Sequence, residues 1–130
     1  MDRKNVSSGS PYEDVIGFSR AVRIGNMISV SGTAPIAPDG STAHKGDVYG
    51  QTGYCLEIMK RVLEEAGGNL EDVIRTRIML KNISAWKEAA KAHGEYFSHI
   101  KPACTFVEVK GFVQEDWLVE IEADCVIAEE

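Results

Sequence analysis

A helical stripe set between two regions of strictly alternating hydrophobicity limits what this chain can fold into. Cys55, Ile58, Met59, Val62, Leu63 and Ala66 stand at i, i+3, i+4, i+7, i+8 and i+11, which places them on one face of a helix. Glu57, Lys60, Arg61, Glu64 and Glu65 fill the other faces. Asp47 is placed to cap the start, and Gly67-Gly68 can end the helix by adopting a left-handed conformation. Before the stripe, Phe18 to Ile24 and Met27 to Gly32 alternate with period two around Gly25-Asn26, the pattern of a β-hairpin. Thr33 to Gly46, with Pro35, Pro38 and the turn Pro38-Asp39-Gly40, reads as a loop.

Beyond the stripe, Ile74 to Lys81 predicts a strand with Ile74, Thr76, Ile78 and Leu80 on one side and Arg75, Arg77, Met79 and Lys81 on the other. Ser84 is placed to cap a second helix whose Trp86, Ala89, Ala90, His93 and Phe97 share a face, and Pro102 bounds it. Ala103 to Lys110 and Leu118 to Ile127 alternate again as closing strands. The order ββαβαββ predicts an α+β single domain over residues 1–130, with a mixed sheet of about five strands and both helices on one face. Residues 1–16 are expected to be a flexible or loosely ordered segment. The second sheet face gathers Arg75, Arg77, Glu120, Glu122 and Asp124 beside Met79, Phe106 and Val126, with Cys104 on the same side. Such a face is either solvated or packed against another copy.

Charge and cysteine usage narrow the function. With 14 Lys and Arg against 20 Asp and Glu, net −6, and no basic run longer than Lys60-Arg61, the chain lacks the footprint of a nucleic-acid binder. No apolar run reaches the length of a membrane span, and the polar start Met1 to Asn5 reads as no secretory signal, so a cytoplasmic location is expected. Cys55, Cys104 and Cys125 are odd in number and form no Cys-x-x-Cys pair, which suggests neither a disulfide framework nor a zinc site. His44, His93 and His99 lack metal-ligand spacing, and His93 reads as a packed, hydrogen-bonded core residue.

Two groups could carry chemistry. Glu120-x-Glu122-x-Asp124 puts three carboxylates on one strand face, where exclusion of water would raise their pKa and suit one of them to act as a general base or hold a water. The plainer reading is a face salt-bridged by Arg75 and Arg77. Cys104 could be a nucleophile, but no His adjoins it and free cysteines are usually buried, so a packed, inert thiol is expected. Gly32, after Val30-Ser31, marks either a close backbone approach or a strand end.

Taken together, Gly17-Phe18-Ser19-Arg20-Ala21-Val22, Gly25-Asn26, Val30-Ser31-Gly32, Pro35, His93-Gly94-Glu95-Tyr96-Phe97, Pro102-Ala103 and Val119-Glu120-Ile121-Glu122-Ala123 resemble the RidA family. It is also called YjgF or, historically, the L-PSP endoribonuclease family. The resemblance runs in order from about Gly17 to Ile127. It implies a chorismate-mutase-like α+β protomer in a homotrimer, with small-molecule clefts between subunits and cofactor-free hydrolysis of enamines and imines such as 2-aminoacrylate. In that family an arginine grips the substrate carboxylate, a glutamate positions water, and backbone groups at a Ser-Gly turn hold the ligand. Glu120 matches the glutamate, and Ser31-Gly32 matches the turn. The arginine position is Cys104, a tyrosine position is Phe18, and an asparagine position is Ala90. Arg20 is a candidate to compensate. The resemblance therefore implies a hydrolase on an imine-like metabolite, with Glu120 as its catalytic residue and a different, less anionic ligand held by Gly32, Ser31, Phe18, Arg20, Ala90 and Cys104. Its rivals are a non-catalytic ligand-binding, regulatory or chaperone-like trimer and, disfavoured by charge, an endoribonuclease. No cofactor, metal, nucleic acid or membrane partner is expected.

Overall fold

The computed structural model describes residues 2–128. Six strands form one sheet in the order β1-β2-β3-β6-β4-β5, where β1 is Arg3–Val6, β2 Ala21–Ile24, β3 Met27–Thr33, β4 Val73–Leu80, β5 Ala103–Glu108 and β6 Val119–Val126. Pairing is antiparallel throughout except between β4 and β5, which run parallel because a helical crossover joins them. The helices are α1 (Tyr12–Ile16), α2 (Val48–Glu65) and α3 (Trp86–Phe97).

The stripe read from the sequence is the stripe that α2 buries. Cys55, Leu56, Met59 and Leu63 have no exposed surface, and Val62 and Ala66 are almost fully covered. Each large side chain so buried contributes about 1.5–3 kcal/mol of transfer free energy. The Asp47 side chain accepts from the Gly50 N–H at 3.0 Å, and Gly67, at φ 92°, ends the helix. Opposing α2, the sheet supplies Ile28, Val30, Ile78, Leu80, Val119, Ile121, Ala123 and Cys125. Against this layer α3 buries Ala89, Ala92 and Phe97, while Trp86, expected on the same face, is half exposed.

Several expectations are corrected. Residues 3–6 and 12–16, taken as part of a loosely ordered segment, form β1 and α1. Arg3–Val6 pairs with Ala21–Ile24, and Val6 is 2% exposed, so one apolar residue at the end of a polar stretch docks this strand. The first hairpin strand begins at Ala21, and Phe18 lies before it. β4 begins at Val73, and a bulge between Val73 and Arg75 turns Ile74 outward, leaving Val73 to fill its place in the core. Asn82, not Ser84, caps the turn before α3: its Oδ1 accepts from the Ser84 N–H at 2.9 Å, and Trp86 follows a 3-10 turn.

The face of β5 is also reversed. Arg77 stands beside Thr105 and Ile78 beside Phe106, so Cys104 and Phe106 share the helix side while Thr105 joins Arg75 and Arg77. Parallel neighbours in register share a face, and that parity decides the matter. Among the described residues, no helix is long and apolar enough to cross a membrane.

Candidate functional site

A bulge in β3 builds the site. Val30 is opposite Ala123, yet Thr33 is opposite Ile121, so β3 spends one residue more than β6 around Ser31-Gly32. The irregularity brings the Gly32 backbone against the carboxylate of Glu120. A Cβ at position 32 would lie 2.8 Å from Glu120 Oε1, closer than two such atoms sit. Of the two readings of Gly32, close backbone approach is the one the structure takes.

The three carboxylates of β6 separate by environment. Arg77 Nη1 lies 3.3 Å from Glu122 Oε1 and 3.1 Å from Asp124 Oδ2, so both belong to the salt-bridged face. Arg75 turns instead to Thr105 Oγ1, at 2.7 Å. Glu120 stands opposite Met79, and among the described residues no cation lies within ion-pair distance of it. Burial pushes its carboxyl above the usual range; Arg20 opposes the shift and Glu122 adds to it. A carboxylate of raised pKa at a backbone cleft can take a proton from a bound water.

Arg20 reaches this region from behind. It is only 3% exposed, and it donates from Nε to Ser8 Oγ at 3.1 Å, from Nη1 to Ser31 Oγ at 3.0 Å, and from Nη1 to the Gly32 carbonyl. Its guanidinium also lies 5.1 Å from the centroid of the Phe18 ring. Ser31 Oγ is within 3.1 Å of the Ser19 and Arg20 carbonyls. Phe18, Arg20, Ser31, Gly32 and Glu120 therefore form one cluster.

Ala90 and Cys104 do not join it. Cys104 lies on β5, two strands from β6 and on the opposite face from Glu120, a lateral separation of roughly 10 Å from strand spacing alone. The thiol, expected to be packed, is exposed, because β5 is the edge strand and most of its side chains stay open. Burial pushes the thiol of Cys125 up to about 12 and that of Cys55 higher still. His93 is the core residue expected: its Nε2 is 2.9 Å from Thr76 Oγ1, and burial lowers its pKa. Among the described residues, no three His, Cys, Asp or Glu side chains gather to hold a metal ion.

Two supporting residues were missed from the sequence. Gln51, fully buried on α2, accepts from the Leu118 N–H at 2.8 Å and donates to the Asp116 carbonyl at 3.0 Å. It thereby fixes where β6, and with it Glu120, begins. Nothing in the helical stripe marks it. Glu13 gathers the Ser8 N–H, the Ser8 hydroxyl and the Ser10 N–H on Oε2, at 2.9 to 3.2 Å. The spacing Ser10-x-x-Glu13 is half of a capping box and was legible.

A mixed six-stranded sheet packed by helices is the α+β architecture that this chain shares with solved proteins of the YjgF type. Residues 11–127 match the endoribonuclease L-PSP family, and the chain belongs to that family. It is 39% identical over 106 residues to a RutC family protein of Pyrococcus abyssi, covering 82% of this chain and 83% of that one. With the 3-aminoacrylate deaminase RutC of Acinetobacter baylyi it shares 36% identity over 101 residues, 78% of this chain and 79% of the relative. A crystal structure of a YjgF-family protein from Mycobacterium tuberculosis superposes with a TM-score of 0.88 at 40% identity, covering 97% of this chain and 100% of the other.

Proposed function

We propose that this protein is a cofactor-free hydrolase of an imine, enamine or related small metabolite, working as a homotrimer in clefts between subunits, with Glu120 as the catalytic residue. The observation that carries the reading is the lone carboxylate of Glu120, pushed up in pKa by burial and pressed against the Gly32 backbone. The kinship with a 3-aminoacrylate deaminase supports the same chemistry. In the reaction a water oxygen bonds to the imine carbon while Glu120 takes the water proton. That proton passes to the imine nitrogen to give a neutral carbinolamine, whose hydroxyl proton then moves through Glu120 to the nitrogen as the C–N bond breaks, so that ammonia leaves and a carbonyl forms.

The two separated groups of site residues favour assembly. Within one protomer Cys104 lies on the opposite sheet face from Glu120 and Ala90 lies on α3, whereas a neighbour's exposed β5 edge could complete the cleft. Cys104 in place of the family arginine argues against 2-aminoacrylate, since a neutral thiol cannot make a charge-assisted pair with its carboxylate. The same substitution, with Phe18 and Ala90, favours the second reading, a trimer that binds a ligand without turning it over. A net charge of −6 speaks against ribonuclease action.

The test is hydrolysis of enzymatically generated 2-iminopropionate and bulkier imino acids, followed by semicarbazide trapping, alongside Glu120→Gln and light scattering at micromolar concentration. Turnover by a trimer that the substitution abolishes is expected. Turnover unchanged by Glu120→Gln, or a monomer in solution, would overturn the site as described, and no turnover on any member would favour the binding role.

A further inference from the structure

A second site lies behind the bulge, on the helix side of the sheet and within one protomer. A cavity of about 420 Å³ is enclosed by residues 7–10, the loop from Thr33 to Pro38 and the outer flank of α2. Neither Glu120 nor Cys104 lines it, so it is not the cleft of the proposed reaction. Its volume falls in the range of small-molecule pockets. The walls are polar and apolar in nearly equal part, the apolar part supplied by Ile36, Ile58, Val62 and the ring of Tyr54, and the one deeply buried charge on them is Arg20.

Arg20 is a buried cation whose bonding is incomplete. Its Nε and Nη1 are occupied by Ser8, Ser31 and the Gly32 carbonyl. Among the described residues, Nη2 donates to no protein acceptor, and it is not a sealed orphan either, since no buried side-chain nitrogen lacks a partner. Nη2 therefore keeps some open surface, and Arg20 is one of the residues that line the cavity. Among the described residues, no carboxylate lies within ion-pair distance of the guanidinium. Glu13 and Glu120 are near enough to be felt electrostatically, but Glu13 Oε2 is already taken by Ser8 and Ser10 and Glu120 lies across the Gly32 backbone. Toward the α2 side, Arg61 and Glu65 offer one charge of each sign. A buried charge without an opposite partner is costly, and an incoming anion relieves that cost.

We infer that this cavity binds a small carboxylate with an apolar body, its carboxylate on Arg20 Nη2 and its body against Ile36, Ile58 and Val62. The residues 7–10 act as a strap over the ligand, held down by the Ser8 contacts to Arg20 and Glu13. Gly32 separates this site from Glu120, since Arg20 bonds its carbonyl on one side and the Glu120 carboxylate approaches it on the other.

Calorimetric titration of the intact protein with phenylacetate, and with uncharged phenylacetamide, tests the inference. Saturable phenylacetate binding is expected at millimolar concentration or below, with phenylacetamide at least tenfold weaker. Arg20→Gln should weaken phenylacetate roughly ten- to a hundredfold, the value of a charge-assisted hydrogen bond. Because that change could unfold the strap, Ala37→Trp, which fills the cavity from the exposed loop, provides a second arm and should weaken binding at least tenfold in a protein of unchanged melting temperature. Glu120→Gln, which removes a negative charge that Arg20 feels across the bulge, should not weaken binding. No saturable binding, full affinity in Ala37→Trp, equal affinity for the amide, or loss of binding in Glu120→Gln would each overturn the site. None of these results bears on whether Glu120 turns over an imine.

Discussion

Gly32→Ala separates fold from function at the bulge. The new Cβ would start 2.8 Å from Glu120 Oε1, against the 3.4 Å at which ordinary contact begins, so the carboxylate must give way by about 0.6 Å. Its neighbour there is the far end of a flexible side chain, and Gly32 has no left-handed φ, so the backbone carries no strain. Alanine also stabilises by about 0.4–1 kcal/mol through the unfolded chain, which offsets most of the crowding, and the melting temperature should move by no more than a few degrees. The catalysis proposed for Glu120 would be less tolerant: a misplacement of about 1 Å can cost a hundredfold, so a shift of this size should lower kcat/KM roughly tenfold or more. Scanning calorimetry and the semicarbazide assay read the two effects. Full activity in Gly32→Ala would refute the coupling of Gly32 to Glu120, as would additivity of its rate effect with that of Glu120→Gln. A large loss of stability would refute the claim that only a side chain is displaced.

Other parts of the structure give sharper measurements of stability. Gln51→Leu strands the Leu118 N–H and the Asp116 carbonyl and should cost roughly 2–3 kcal/mol in urea unfolding; a smaller cost than 1 kcal/mol would mean water replaces the amide. Glu13 is held below its usual pKa, because hydrogen bonds from Ser7, Ser8 and Ser10 outweigh the upward push of burial. Its contribution to stability is therefore present above the unfolded-state pKa and lost as pH falls through the lower folded value. Glu13→Gln should flatten that acid limb, and an identical limb in both proteins would show that another group sets it. Native protein should react with iodoacetamide at Cys104 without denaturant, while Cys55 and Cys125 stay protected until unfolding; peptide mapping that finds Cys104 unmodified would contradict its exposure.

What the sequence disclosed follows from how locally each feature is determined. The α2 stripe and the alternation of β6 depend only on period, and Cys55 to Ala66 and Val119 to Cys125 face the core as that period demands. Glu120, Ser31 and Gly32 were legible because a family pattern and a glycine in a strand both drew notice. Long-range pairing was less accessible. No local signal says that β5 lies parallel to β4 in the register Arg77 beside Thr105, so the side taken by Cys104 and Phe106 could not be read. The bulge at Ile74 reverses one residue without altering the alternation around it. Gln51 looks like an ordinary polar residue until the loop before β6 supplies the groups it satisfies.

The extra residue in β3 has a consequence for anyone altering this chain. Before it, Ile28 and Val30 point to the core; after it, Thr33 does. The strand thus holds two opposite phases, joined at Ser31-Gly32. Deleting one residue there would give a cleaner ladder while carrying the following loop out of phase with α2 and withdrawing Gly32 from Glu120. A redesign that scores regularity would favour that deletion and discard the pocket with it. The irregular position is where the sheet departs from a regular ladder to bring a glycine backbone and a buried carboxylate together.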